Sequence, residues 1–331
     1  MDYVIKQMPE DFVVREILEL RLGSGRYAYY RLTKRGWTTQ SAVNMISRAF
    51  RKKQKYINFS GNKDKQAFTE QYISILHGPK KDLELCNGDI RLEYLSQGRE
   101  RINLGTSPAN YFEITVRNLS EDFSPKPPLQ VPNYFDEQRF GRNLNNHVVG
   151  KHIILKKFKE ACALIPETRE HLRIYPRDYV GALRSLPKRI LRLYVHAYQS
   201  WFWNLTASRY LEGFPHRKIS WSLGELVIPP KPVKSIAVPI LGYNTEIPAG
   251  LDDIIREILR TEGISLDDFR VRQFQEFDLS GSSRDLVVEP QNLDIGPLQD
   301  DELNPGKKKC LVRFSLQSGS YATMVIRVIF S

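Results

Sequence analysis

Residues 61–71, GNKDKQAFTEQ, constrain this chain more than any other stretch. They are turn-forming letters between two runs that read as strands. Tyr56-Ile57-Asn58-Phe59-Ser60 is short, aromatic and β-branched, and Tyr72-Ile73-Ser74-Ile75-Leu76 alternates as a half-buried strand does. The chain therefore turns back here, presenting Asp64 between Lys63 and Lys65. An unperturbed Asp titrates at about 3.9, and neighbouring cations favour its charged form. Those cations also suit a phosphate-bearing substrate. A carboxylate in a basic setting can attack a sugar carbon within nucleic acid, or stabilise positive charge on it. The same letters also make an ordinary solvated hairpin turn.

Composition narrows the partner. The 331 residues suffice for about two domains. Apolar residues make up 41% of them, enough for real cores. The net charge of +11 points to a polyanion, most often nucleic acid. The cysteines at 86, 162 and 310 lie far apart and lack zinc spacing, so they read as buried free thiols in a reducing compartment. Early charges (Asp2, Lys6, Glu10, Asp11, Arg15) argue against a signal peptide, and no uncharged run approaches about 18 residues. A cytoplasmic protein without a membrane span is the expectation. Nothing specifies an oligomer, and a monomer is expected. No G-x-G-x-x-G or G-x-x-x-x-G-K-[ST] follows a strand, which predicts no nucleotide cofactor. The six histidines show no metal-ligand spacing, so neither a metal nor another cofactor is expected, and a metal-dependent ribonuclease lacks its ligands.

Along the chain, Asp11–Leu18 reads as a strand with Phe12, Val14 and Glu16 on one face. Tyr27–Leu32 reads as a second strand. Thr38 or Thr39 caps a helix running to about Phe50. Ile90–Tyr94 and Phe112–Val116 alternate, so the first 120 or so residues predict a mostly antiparallel α+β sheet. SPKPPLQVP at 124–132 is a connection that delivers Asn133-Tyr134-Phe135-Asp136-Glu137-Gln138-Arg139-Phe140-Gly141. Aromatics mixed with an amide and a cation can stack a base, bond its edge and hold a phosphate, or can simply anchor a loop. Val148–Ile165 predicts one helix, and Pro187–Glu212 a longer one with a broad aromatic stripe that core packing explains. Another helix is expected at Asp252–Thr261. Near the C-terminus Lys309–Leu316 alternates, and Ser320 is placed to cap a last helix with Tyr321 at its start.

Several segments resemble one family. GNKDKQAFTEQ is similar to the signature G-x-K-D-x-x-A-x-T-x-Q of the TruD family of pseudouridine synthases, at Gly61, Lys63, Asp64, Ala67, Thr69 and Gln71. PEDFVVREI resembles its D-F-x-V-x-E motif, and residues 133–141 its NYF-x-x-QRFG motif. His196 with Gln199–Asn204, Gly281–Arg284 and Phe314–Met324 resemble further family segments. Three departures are visible: Trp203 replaces Phe, Gln317 replaces Pro, and Val328 replaces the Glu expected after Arg327.

The resemblance implies a uridine-to-pseudouridine isomerase acting on transfer RNA, at uridine 13, with Asp64 as the catalytic carboxylate. It places Glu16 beside the site as an orienting or charge-pairing residue and Lys63 on the substrate. Asn133 and Phe135 are then expected to contact the uridine, Arg139 the backbone, and Tyr321 to stack on the base. The implied architecture is a discontinuous catalytic domain, residues 1–154 and 286–331, carrying an inserted α/β domain at 155–285. An RNA-binding protein of the same fold without catalysis is the competing class. A carboxylate beside phosphates gives a pure binder no advantage.

Overall fold

The computed structural model describes residues 3–274, 277 and 279–331. They form two compact units: Met1–Leu129 with Glu289–Ala322 and Phe330, and Gln130–Val288 with Thr323–Ile329 and Ser331.

The first unit is built on alternation. Its elements are β1 (Phe12–Ile17), β2 (Tyr27–Arg35), α1 (Thr39–Ala49), β3 (Ile57–Phe59), β4 (Phe68–Leu76), β5 (Leu83–Leu85), β6 (Ile90–Gly98) and β7 (Ala109–Leu119). The strands Gln291–Ile295, Gln299–Asp300 and Lys308–Gln317 return to the same sheet. From one edge the order runs Gln291–Ile295, Lys308–Gln317, β7, β1, β4, β2, β6, β5. Only β1 and β4 pair in parallel; the other described pairs are antiparallel, as the α+β expectation required. Period two sends Tyr30, Leu32, Ile73, Ile75, Ile90 and Leu92 to one face. There they meet Ala42, Val43 and Ile46 of α1. Each large aliphatic side chain buried this way stabilises by about 1.5–3 kcal/mol. Thr38 is the cap of α1, its hydroxyl accepting from the Ser41 N–H at 3.0 Å. The opposite face carries alternating charges: Arg15 sits between Glu70 and Glu113, Arg31 beside Glu93, and Arg313 beside Asp294.

The second unit is organised on α6 (Lys188–Leu211), preceded by α2 (Asn146–Ile154), α3 (Phe158–Ala163), α4 (Arg169–Ile174) and α5 (Tyr179–Arg184), and followed by α7 (Asp252–Glu262). The aromatic stripe of α6 is core: Tyr198, Phe202 and Trp203 are buried. The indole N–H of Trp203 donates to the Val238 carbonyl at 3.1 Å, a bond that Phe could not make. Gly150 lets α2 approach α6 closely, since a Cβ there would lie 2.1 Å from the Tyr194 carbonyl oxygen. This packing groups α2 with α6. Compact units therefore change at 129/130 and 288/289, whereas the sequence reading drew its boundaries at 154/155 and 285/286.

The single helix expected over 148–165 is two helices. Lys156 adopts a left-handed conformation (φ +59°), with Lys156 N–H donating to Ile153 and Lys157 N–H to His152. That double bond closes α2 in the manner usually given to glycine, so the apolar periodicity continues across a break that periodicity alone conceals.

Candidate active site

The loop between β3 and β4 is held from beneath by inward-facing polar residues. Register places Gln71 opposite Leu32, on the covered face of the sheet. Its amide donates to the Gly61 carbonyl at 3.2 Å and accepts from the Thr39 hydroxyl at 2.8 Å. Thr39 in turn accepts from the Lys63 N–H at 2.9 Å. Lys34 shares that face and is fully buried. Its ammonium donates to the carbonyls of Trp37 and, at 2.9 Å, Asp64. The backbone of the loop is thus fixed at Gly61, Lys63 and Asp64 before any substrate arrives.

Glu16 lies beneath the same loop, its side chain fully shielded from solvent. It accepts from the Ser60 hydroxyl and, at 2.9 Å, from the Tyr72 N–H. Its charge is met by the Lys63 ammonium at 3.3 Å, which also donates to the Asn110 amide oxygen. Asp64 is turned outward, with 36% of its side chain exposed. The Lys6 ammonium stands 2.7 Å from it and 4.1 Å above the Phe12 ring.

Tyr321 belongs to the same end of the sheet. Glu16 pairs with Asn110, and Asn110 with Leu316, across three adjacent strands. A turn with Gly319 at φ +87° then leads to Tyr321, immediately before the helix Ala322–Phe330. The capping bond expected from Ser320 is absent: its buried hydroxyl has no hydrogen-bond partner among the described residues. Gln317 completes its strand opposite Ala109.

The second unit holds the other set. Asn133 is 3% exposed and pinned on three sides. Its N–H donates to Leu286 at 2.8 Å and its amide to the Asp285 carbonyl at 3.1 Å, while Arg284 donates to its carbonyl at 2.7 Å and to its amide oxygen. Phe135 exchanges backbone bonds with the Asn204 amide at 2.9 and 2.8 Å. Its ring stands edge-on to Trp203, and the guanidinium groups of Arg284 and Arg139 lie 4.2 and 5.3 Å from its centre. Arg139 donates to the Ser200 hydroxyl at 3.0 Å. Burial pushes the nearby His196 imidazole below its ordinary range, and Arg139 and Arg192 add to this. Arg327 pairs with Glu137 at 2.8 Å and Asp136 at 3.7 Å, in place of a neighbour at position 328.

The structure thus brings Glu16, Lys63 and Asp64 together in one unit and Asn133, Phe135 and Arg139 together in the other. Sequence reasoning missed Lys6, Lys34 and the role of Arg284. Lys34 had a signal, since it follows Ala28, Tyr30 and Leu32 on the inward face of one strand. Burial pushes its ammonium down to about 8, Asp64 opposing and Lys63 adding. Its folded value lies below the ordinary 10.5, so its contribution to stability increases as pH climbs from about 8 to about 10.5. Lys34→Met should lose about 1–3 kcal/mol in urea unfolding at pH 7, because the half-buried Trp37 and Asp64 lose the donor to their carbonyls. It should also lack that rise. An unchanged midpoint and slope would contradict the holding role.

Among the described residues, no group of three or more His, Cys, Asp and Glu is arranged to hold a metal ion, and no helix is long and apolar enough to cross a membrane.

Comparison with known proteins gives concordant matches. The family described as TruD, tRNA pseudouridine synthase D, matches residues 1–171, 167–229 and 231–329. A protein of Methanosarcina mazei named a probable tRNA pseudouridine synthase D is 32% identical, over 98% of this chain and 92% of the relative. One of Nanoarchaeum equitans with the same name is 30% identical, over 98% of both chains. A solved crystal structure from Methanosarcina mazei carrying the family name superposes with a TM-score of 0.72 at 30% identity, covering 98% of this chain and 92% of that one.

Proposed function

Because the chain belongs to the tRNA pseudouridine synthase D family, we propose that it converts uridine 13 of transfer RNA to pseudouridine, with Asp64 as the catalytic carboxylate. The observation that carries the reading is Asp64 itself: a family-motif carboxylate, over a third exposed, on a loop whose backbone is fixed by Lys34, Thr39 and Gln71. Extracting a stacked uridine costs a few kcal/mol. In this reading Asn133 reads the uracil edge, Phe135 and Tyr321 receive the ring, and Lys63 and Arg139 take the backbone. Glu16 orients Lys63. Asp64 acts at the sugar C1′, as nucleophile or as base in a glycal route. The N1–C1′ bond breaks, the uracil rotates, and C5 bonds to C1′. The C5 proton departs as N1 gains one, so product and substrate are isomers and nothing else is consumed.

The +11 charge supports a polyanionic substrate. Residues 155–285 serve as an inserted domain that embraces the RNA, and the protein works in the cytoplasm as a monomer. The test is incubation of purified protein with unmodified transfer RNA in EDTA, without nucleotide, followed by mapping of pseudouridine. Pseudouridine at position 13 alone is the expected result. Tight RNA binding with no pseudouridine in any RNA would favour the binding protein that lacks catalysis.

A further inference from the structure

Beside the Asp64 loop lies a second recess that the reaction does not use. β1 pairs with β4 only through Glu70; beyond it β3 takes over, opposite Ile73–Ile75. β3 is three residues long, and its outer side is met by the 99–106 loop rather than a strand. Three bonds fix that loop: Ile102 N–H donates to the Ser74 hydroxyl at 2.9 Å, Gly105 N–H to the Ser60 carbonyl at 2.7 Å, and the Tyr29 hydroxyl to the Glu100 carbonyl at 2.7 Å. Between loop and strand is a cleft of about 400 Å³.

Its lining suits one kind of ligand. Ile57, Phe59 and Leu104 supply apolar and aromatic surface, and Leu104 is 75% exposed with no core to cover it. Asn103 and Asn58, the latter also donating to the Tyr56 carbonyl at 3.4 Å, carry amides that can both donate and accept, as a base edge requires. Arg101 supplies a cation, and no carboxylate lines the cleft. The larger cleft on the outer face of the sheet, about 710 Å³, has a different character: Glu70, Asp82, Glu84 and Glu93 line it with Arg31 and Arg91, and both arginines are paired with its carboxylates.

Ser60 links the cleft to the candidate site. It follows Phe59, its carbonyl holds the loop, and its hydroxyl donates to Glu16, the partner of Lys63. Four residues separate Phe59 from Asp64, so the two lie at most about 18 Å apart. From this placement, and resting on the RNA-modifying reading above, we propose that the cleft between β3 and the 99–106 loop binds a nucleobase flanking the target uridine. The base lies against Phe59 and Leu104, its edge is read by Asn58 and Asn103, and Arg101 takes its phosphate.

The test uses residues outside the core: Leu104 and Asn103 are exposed and Asn58 is half-buried. Affinity for short single-stranded RNAs is measured for wild type, Leu104→Asp and the Asn58→Ala/Asn103→Ala pair. KM and kcat follow on transfer RNAs in which each nucleotide flanking the target is changed in turn. Leu104→Asp should weaken affinity and raise KM by roughly tenfold with kcat unchanged, as expected for one lost base contact. The amide pair should flatten the wild-type preference at one flanking position. Wild-type affinity, KM and preference in both variants would overturn the proposal whatever the turnover. If wild type makes no pseudouridine yet Leu104→Asp still weakens RNA affinity, the catalytic reading falls and the base site stands.

Discussion

Asp64→Asn should abolish pseudouridine formation while RNA affinity stays within a few-fold of wild type. Asn keeps the shape of Asp and can still accept from Lys6, but it is neither a nucleophile nor a base. A single acid–base group supplies about 10²–10⁴-fold of rate, so turnover should fall by at least about a hundredfold. The loop itself should persist, because its fixed points are backbone groups of Gly61, Lys63 and Asp64 held by Gln71, Thr39 and Lys34. The lost ion pair with Lys6 is partly exposed and worth about 1 kcal/mol or less. Binding rests mainly on phosphate neutralisation, which removing a negative charge does not weaken. Single-turnover assays on unmodified transfer RNA, with filter binding in parallel, give both numbers. Turnover comparable to wild type would remove Asp64 from the mechanism.

The largest stability effect is expected at Arg117 on β7. Its 4%-exposed guanidinium donates to Asp11 at 2.9 Å, to Asp301 at 2.8 Å and to Glu302 at 3.1 Å. Its backbone also exchanges bonds with Val4 at 2.8 and 3.0 Å. One residue thus ties the N-terminal segment carrying Lys6, and the 300–304 turn, to the sheet. Arg117→Met leaves Asp11 and Asp301 buried without their counter-charge and should cost about 3–5 kcal/mol. Acid should narrow that gap. Burial alone would raise the Asp301 carboxyl, but bonds from Asn118, Asn304, Leu303 and Arg117 outweigh it and hold it at about 2. A folded value below the ordinary 3.8 means stability that is present above about 4 and lost as pH falls toward 2. Urea unfolding at pH 7 and pH 3 should therefore show a large deficit for the variant at the first pH and a smaller one at the second. Equal deficits would show that packing, not charge, is what Arg117 supplies.

Local chemistry carried much of this protein in plain letters. Alternation over Phe12–Glu16, Tyr72–Leu76 and Lys309–Leu316 announced strands, and the pair Thr38 and Thr39 announced the start of α1. The motif around Asp64, with those at Glu16 and 133–141, announced the residues proposed for the site. Each of these signals is complete within about ten residues, because side-chain period and turn propensity act over that range. The break at Lys156 escaped because a left-handed lysine leaves no mark on apolar periodicity. Lys6, Lys34, Arg117 and Arg284 escaped for a different reason. Their partners lie 58, 30, 184 and 151 positions away, at Asp64, Asp64, Asp301 and Asn133. Which of the chain's many cations meets which carboxylate or carbonyl depends on strand register, and a slip of one residue would turn Lys34 and Gln71 to the opposite face. Residue types and local turns are written along the chain; the pairing that holds Asp64 in place exists only once the sheet has closed.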